Sequence, residues 1–324
     1  MEDGSEYRCW DELIPDALGL IFRNLSLEDR LSVVPSVCKS WRVAVSGSYC
    51  WQEIDIEEWS RNRPPQHIDR MLRMLITRSS GSLRKLSVSG IPDSILQFLA
   101  DHAGSLQTLQ MPKGQISDSI VEQIAGKLST ITSLDLSNCN EIGAPALEAI
   151  GKNCRLLLRL CRNMVLSCSV DKLPKDEEAQ AIAATMPKLK HLEISYNLLM
   201  TRESVLNILS SCSKLEYLNL TGCWDVKLDR NFLKEKFPNV KVIGPQVLEY
   251  CDMDDWGDYC SEYSDASEYF AWELFTGDME DYDDEDDDDS YDEMWDDEER
   301  LEELELRFYE GIEDSGLQGW PPSP

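Results

Sequence analysis

The sequence has little of what most enzymes and membrane proteins depend on. Its three histidines, His67, His102 and His191, stand far apart, without metal-ligand spacing. It contains neither a glycine-rich phosphate loop nor a nucleophile-elbow motif. No run approaches the roughly 18 apolar residues that a membrane-spanning helix needs. We therefore expect a non-catalytic protein with no metal, no cofactor and no membrane contact.

The chain also lacks the features of an exported protein. Its first residues, MEDGSEYRCW, have neither the basic start nor the apolar stretch of a secretory signal. Its 11 cysteines are an odd number without metal-site spacing. We therefore expect reduced thiols and a location in the cytoplasm, the nucleus or both.

Basic residues are almost missing from the C-terminal part of the chain. Residues 252–324 contain 30 acids against Arg300 and Arg307, a balance of −28, whereas the remaining 61 − 30 = 31 acids face 29 bases. We predict a near-neutral folded body followed by an acidic, aromatic-containing and largely disordered tail over residues 248–324. That tail is either a solvated, solubilising segment or a docking segment for a basic partner.

One part of this tail has a helical pattern. Residues 296–309 begin with four acids, which favour a helix N-terminus, and Leu301, Leu304 and Phe308 follow on one stripe. The favourable and unfavourable charge interactions within the segment roughly cancel in their effect on helix stability. Burial of the three apolar side chains must therefore decide whether a helix forms. We predict a helix that forms when this segment docks.

Residues 10–56 have the pattern of three short helices. Pro15 suits the first turn of a helix, because its missing N–H costs nothing there. Ser26 and Asp29 have the spacing of a capping box for a second helix, which we expect Pro35 to end. The apolar stripes of the first and third helices are Leu18, Ile21, Phe22, Leu25 and Val37, Cys38, Trp41, Val45. These stripes suit either a small helical cap on a repeat domain or an element that needs a partner.

The order of these residues resembles an F-box. Leu13-Ile14-Pro15, the stripe of the first helix, the run Val37-Cys38-Lys39-Ser40-Trp41-Arg42 and then Trp51 carry the resemblance. Ile14 replaces the usual leucine of the opening pair. The resemblance implies that residues 8–56 dock on a Skp-type adaptor and, through it, on a cullin. It assigns adaptor binding to Leu13, Ile14, Pro15, Leu18, Ile21, Phe22, Leu25, Val37, Cys38 and Trp41.

A leucine pattern with a period near 25 residues begins at Leu83. The motif Leu83-x-x-Leu86-x-Val88 has counterparts starting at 106, 131, 157, 189, 215 and 240, intervals of 23 to 32 residues. This period is typical of leucine-rich repeats. From the start at 106 onward, apolar residues seven and three positions before each start indicate one helical face, and so do those ten positions before, except for Arg230. We predict an α/β fold, with a short leucine-rich-repeat solenoid of one strand and one helix per repeat over residues 83–247.

Two regions depart from this regular pattern. Before it, Ile54 and Ile56 indicate a strand and Ile68 begins a helical stripe, so residues 57–82 are predicted to be a linker or capping repeat. Within it, Arg162 stands where an apolar residue is expected, and residues 163–177 lengthen the fourth repeat. The insertion is either a tolerated surface loop or part of a binding face.

Strand residues that alternate with the buried leucines should face the concave side of the solenoid. They are polar and mixed in charge, which favours a protein or peptide target over nucleic acid. The predicted target-binding residues are Lys85, Thr108, Gln110, Asp135, Arg159, His191, Glu193, Tyr217 and Asn219, with Ser87, Ser133 and Cys161 on the same side.

Cysteines at matching positions of the repeats extend the resemblance to about residues 8–245. The chain resembles plant F-box proteins with leucine-rich repeats, some of which were filed with the F-box/WD-40 class. The resemblance implies a substrate-recognition subunit of a Skp–cullin–F-box ubiquitin-protein ligase that presents a target for ubiquitination and proteasomal degradation. Two alternatives stay open: an acidic-tailed scaffold or chaperone for basic proteins without a ubiquitin role, and a small-molecule receptor.

Overall fold

The described residues form two units, and each is built around parallel strands. The computed structural model describes Trp10 and residues 13–61, 63–164, 176–197, 200–223 and 226–245. The first unit contains residues 13–88 and 97–107, and the second contains residues 89–96 and those from 108 onward. Among these residues no helix is long and apolar enough to cross a membrane. Residues 165–175 of the insertion and the acidic tail, with its predicted helix at 296–309, lie outside them.

Three short helices open the first unit. They are α1 (Pro15–Phe22), α2 (Val34–Val37) and α3 (Lys39–Ser46), with a π-helical turn at Asp29–Val33 and a 3-10 turn at Ser48–Trp51. The predicted capping pair forms, because the Ser26 hydroxyl accepts from the Asp29 N–H at 3.1 Å and donates to its carboxylate at 2.9 Å.

The prediction that Pro35 ends the second helix is wrong. The π-helical turn before it places Pro35 in the first turn of α2, where a missing N–H costs nothing. The helix ends instead at Val37, and the backbone of Cys38 is extended. The wide turn, which sequence periodicity does not reveal, therefore moves the helix end beyond Pro35.

A strand–helix–strand segment completes the first unit. It consists of β1 (Glu53–Asp55), α4 (Glu57–Ser60), α5 (Pro65–Ser79) and β2 (Lys85–Ser87). The next helix, α6 (Asp93–His102), begins in the second unit and continues in the first from residue 97. β1 pairs in parallel with β2, with Ile54 opposite Leu86. The strand–helix pattern thus begins at β1, before the predicted start at Leu83. The extra helix α4 lengthens the interval between β1 and β2, so the repeat period is not apparent in this part of the sequence.

The second unit repeats one strand and one helix. Its strands are β3 (Thr108–Gln110), β4 (Ser133–Asp135), β5 (Arg159–Cys161), β6 (His191–Glu193), β7 (Tyr217–Asn219) and β8 (Lys241–Ile243). Its helices are α7 (Asp118–Ile124), α8 (Ala144–Asn153), α9 (Asp176–Thr185), α10 (Arg202–Ser211) and α11 (Arg230–Lys236). The strands pair in parallel in chain order, so equivalent positions of successive repeats lie side by side.

The predicted alternation is confirmed along β3, β4, β6 and β7, whereas Ser87 on β2 and Cys161 on β5 are buried. The middle residues of β3 to β7 are leucines, Leu134 and Leu218 among them, and all are buried. Their neighbours Asp135 and Asn219 keep part of their surface in solvent. A stack of such repeats shares interfaces, which is how short strand–helix units become stable.

The cysteines of the repeats are buried and link neighbouring repeats. The thiols of Cys139, Cys154, Cys212 and Cys223 donate to backbone carbonyls of the preceding repeat at 3.3, 3.3, 3.5 and 3.1 Å. Burial raises the pKa of each of these thiols to about 11. They therefore act as small apolar residues with one weak donor each.

Arg162 is buried although it is charged, with only 1% of its surface exposed. Its Nη1 donates to the carbonyls of Leu136 and Cys139 at 3.2 and 2.9 Å, and its Nη2 donates to that of Ile142 at 2.7 Å. An ion pair with Glu178 at the start of α9 balances its charge at 3.2 Å. The arginine thus joins the turn after β4 to the helix that follows the insertion.

Candidate functional site

Exposed apolar side chains concentrate on the three-helix segment of the first unit. Of the twelve large apolar residues exposed among the described ones, ten lie between Trp10 and Tyr49. Ile14 is the most exposed of them, at 67%. Exposed apolar clusters of this kind mark protein–protein contact sites. We call this cluster the apolar face: Trp10, Leu13, Ile14, Leu20, Ile21, Leu25, Val33, Val37, Val43 and Tyr49.

Five of the ten predicted adaptor-binding residues belong to the apolar face, namely Leu13, Ile14, Ile21, Leu25 and Val37. Pro15 is exposed beside it, and Cys38 and Trp41 are half-buried. Their role in adaptor binding stays a prediction.

Leu18 and Phe22 require a correction. They are 0% and 3% exposed, and the Phe22 ring packs against Trp41 at 4.9 Å. Since they lie four residues apart, they share the side of α1 that packs on α3, whereas Ile14 and Ile21, at the edge of the same stripe, stay 67% and 42% exposed. Leu18 and Phe22 therefore hold the helices together and present no contact surface.

Sequence reasoning also missed five members of the apolar face: Trp10, Leu20, Val33, Val43 and Tyr49. Val33 lies in the π-helical turn, which shifts the helical register by one residue relative to a regular helix. Val43 lies on α3 next to the buried Ala44 and Val45, so only the packing of that helix shows that it points outward.

Eight of the nine predicted target-binding residues lie on adjacent strands of the second unit. They are Thr108, Gln110, Asp135, Arg159, His191, Glu193, Tyr217 and Asn219, and all are exposed or half-buried. Lys85 is also half-buried but lies on β2 of the first unit. Ser87 and Cys161, predicted for the same side, are buried at 1% and 5%.

Glu193 is the centre of a hydrogen-bonded cluster on β5 and β6. Its carboxylate accepts from Arg159 at 2.7 Å and from Asn163 at 3.2 Å, and it contacts Nε2 of His191 at 2.6 Å. Burial alone would raise the pKa of Glu193, but the hydrogen bonds from His191 and Asn163 and the charge of Arg159 hold it below its usual value. The cluster is therefore an ordered, preorganised part of the surface.

Side chains of the next two strands, β7 and β8, extend this cluster with an aromatic ring and a lysine. His191 stacks on Tyr217 with ring centroids 4.3 Å apart and an interplanar angle of 6°. The Nζ of Lys241 lies 5.9 Å from the centre of the Tyr217 ring. The row Arg159, His191, Tyr217 and Lys241, here called the platform, thus combines a flat aromatic surface with a cation at each end.

Two residues of this region were missed from the sequence. Lys241 is the first residue of β8 and could have been found by carrying the strand register one repeat further. Asn163 follows β5 in the irregular repeat, and nothing in the sequence indicates its position. Its amide group bridges Glu193 and the Ser195 N–H, so it ties the start of the insertion to the platform.

The chemistry of both surfaces suits binding. Within the residues that the structure describes, no group of His, Cys, Asp and Glu could hold a metal ion. The polar groups around Glu193 satisfy one another, and the apolar face is built of carbon-rich side chains. One surface therefore offers apolar area and the other offers aromatic and charged groups.

Comparison with known proteins decides the family. Residues 10–53 match the model of the F-box domain, and residues 127–151 match that of a leucine-rich repeat. The chain is 53% identical to F-box protein FBW2 of Arabidopsis thaliana over 330 aligned residues, which cover 100% of both chains. The chain belongs to the F-box proteins.

Other relatives of this F-box protein agree with that assignment. F-box protein SKIP1 of Arabidopsis thaliana is 33% identical over 68% of this chain and 80% of its own length. Among solved structures, that of Rad7 in complex with Elc1 from yeast matches with a TM-score of 0.36 and 18% identity, covering 52% of this chain and 43% of the other. The family assignment rests on the sequence relatives.

Proposed function

We propose that this F-box protein is the substrate-recognition subunit of a Skp–cullin–F-box ubiquitin-protein ligase. In this proposal the apolar face binds a Skp-type adaptor, which connects it to a cullin. The platform binds a target protein and presents it for ubiquitination and proteasomal degradation. The proposed site of action is the cytoplasm, the nucleus or both.

One observation carries the proposal: the apolar face belongs to the F-box segment of the first unit, whereas the platform belongs to the second unit. A receptor needs two such binding surfaces of different chemistry on one chain. Its contribution is to raise the effective concentration of target lysines beside the ubiquitin donor, so it needs no catalytic groups of its own.

The alternatives find less support among the described residues. The scaffold or chaperone for basic proteins relies on the acidic tail, which lies outside them. A small-molecule receptor relies on a pocket between the strands and the neighbouring loops, and residues 165–175 of the insertion lie outside the described residues as well. We therefore retain the receptor as the proposed function.

Paired variants in plant cells with the proteasome blocked test the proposal. Tyr217→Ala with Arg159→Ala should retain the adaptor but lose the target, by about tenfold or more if these residues are interface hot spots. Ile14→Ala with Pro15→Ala should lose the adaptor but retain the target, which should then accumulate without ubiquitin. Leu156→Ala with Leu158→Ala is the matched control, because both leucines are exposed in the second unit at 53% and 38%.

Quantitative mass spectrometry of the captured proteins gives the readout. The proposal fails if the two test variants do not differ in any protein that the wild type captures, that is, if each such protein is either lost by both variants or kept by both. It also fails if the captured proteins carry no more ubiquitin with the wild type than with the F-box variant.

A further inference from the structure

The cations at the two ends of the platform keep hydrogen-bond donors that the described residues do not use. Glu193 accepts from one of the five N–H groups of Arg159, whose side chain is 49% exposed. Lys241 is exposed, and among the described residues it forms no ion pair with a carboxylate. The Tyr217 hydroxyl likewise has no hydrogen-bond partner among those residues. The platform therefore offers donors, which a ligand with acceptor oxygens would satisfy.

Glu193 does not make this surface acidic, because its carboxylate is largely buried and shared. Its side chain is 18% exposed, against 49% for its partner Arg159. Besides Arg159, its carboxylate accepts from Asn163 at 3.2 Å and contacts Nε2 of His191 at 2.6 Å. A ligand that approaches from solvent therefore meets the guanidinium of Arg159 more readily than the carboxylate of Glu193.

The other acids near the platform also have partners of their own. The carboxylate of Asp135 on β4 accepts from the Ser137 N–H at 2.8 Å. Glu216, which precedes β7, pairs with Lys190 at 2.7 Å. The first positions of β3 to β8 lie side by side in one row and contain no acid: Thr108, Ser133, Arg159, His191, Tyr217 and Lys241. This row therefore favours an acidic ligand over a basic one.

The spacing of the strands sets the spacing of the groups that such a ligand must present. Arg159 on β5 and Lys241 on β8 occupy equivalent strand positions, and the two strands between them carry His191 and Tyr217. Neighbouring strands lie about 4.8 Å apart, so the two cations are separated by roughly 14 Å across the sheet. An extended chain rises about 3.3 Å per residue, so about four residues cover this distance. Because side chains alternate, residues four apart point to the same side and can each face one cation.

We propose that the platform binds an extended acidic segment of the target protein, with two carboxylates about four residues apart. One carboxylate pairs with Arg159, and the other pairs with Lys241 and the Tyr217 hydroxyl. The residue midway between them packs on the stacked rings of His191 and Tyr217. This inference rests on the proposed function, which assigns target binding to the platform, and adds the chemical class of the target.

Fluorescence anisotropy with the full-length protein and synthetic peptides tests the inference. The probe is the labelled peptide Thr-Glu-Thr-Val-Thr-Glu-Thr, whose β-branched residues favour an extended chain. It should bind the wild type, and Gln in place of either Glu should weaken binding by about tenfold or more, because a charge-assisted hydrogen bond is lost. Moving the second Glu by one residue keeps the composition but turns the two carboxylates to opposite sides, so it should weaken binding as much.

Variants of the protein test which groups hold the peptide. Lys241→Glu should weaken binding by about tenfold or more, because the charge that faces the carboxylate is reversed. The matched control is Lys234→Glu, which makes the same charge change at an exposed position of α11 and should leave binding unchanged. Of the two peptides with Lys in place of one Glu, only the one whose Lys faces position 241 should restore binding to Lys241→Glu.

Three results would overturn the inference. The first is a wild-type protein that does not bind the acidic peptide or binds the shifted peptide equally well. The second is equal weakening by Lys234→Glu and Lys241→Glu, which would indicate an effect of overall charge. The third is binding only when phosphoserine replaces the glutamates, because the ligand groups would then be phosphates.

These results are separable from the proposed function, which the capture of adaptor and ubiquitinated target decides. If Tyr217→Ala with Arg159→Ala loses the target in cells but the acidic peptide does not bind, only the inference about the target class is wrong. If the peptide binds as expected but captured proteins carry no additional ubiquitin, the acidic ligand class stands and the ligase role fails.

Discussion

Arg162 occupies a strand-end position that belongs to apolar residues in the neighbouring repeats, such as Leu136 and Ile194. A buried charge is tolerated there because three carbonyls and the carboxylate of Glu178 surround the guanidinium. Its place in the repeat could be predicted from the sequence, but its partners could not. Three of them are backbone carbonyls, and a pattern of residue types does not indicate which carbonyls will accept a hydrogen bond.

Replacing Arg162 by Met should destabilise the protein strongly. The change leaves Glu178 as an uncompensated buried charge and three carbonyls without their donor, which costs about 3–5 kcal/mol of unfolding free energy. The matched control is Arg159→Ala, which removes an arginine whose side chain is 49% exposed and should cost about 0–1 kcal/mol. Urea denaturation measures both, and equal losses would contradict the role assigned to Arg162.

At the scale of elements, the repeats were predictable because burial on strands and helices recurs with a fixed period. Leu134 and Leu218 are buried, and their neighbours Asp135 and Asn219 reach the surface, as the alternation predicts. The packing of the three short helices was harder to predict. Which side of α1 faces α3 depends on packing, so the sequence could not separate the core residue Leu18 from the exposed Ile21.

The cluster on β5 and β6 has a predictable pH dependence. Because the pKa of Glu193 is lowered in the folded protein, its stabilising contribution is present above the pKa of an unfolded glutamate, about 4.3, and is lost as pH falls through the folded pKa. Glu193→Gln should therefore be less stable than the wild type at pH 7, and the difference should shrink in acid.

Chemical denaturation at a series of pH values measures this difference. Glu216→Gln is the control, since Glu216 pairs with Lys190 at 2.7 Å at an exposed position and should show a much smaller effect. A difference for Glu193→Gln that stays constant from pH 7 into the acid range would contradict the assigned role of its charge.

At the scale of the whole molecule, the chain combines two kinds of surface. The apolar face lies on the F-box segment, and the platform lies on β5 to β8. The sequence predicted both in outline, because apolar stripes and strand alternation have recognisable periods.

The affinity for a purified Skp-type adaptor tests the central claim most directly. Titration calorimetry should give tight binding for the wild type and for Leu156→Ala with Leu158→Ala. Ile14→Asp places a charge at the most exposed position of the apolar face and should weaken binding by about a hundredfold or more, as expected for an interface hot spot. Wild-type affinity in a folded Ile14→Asp variant would contradict the account.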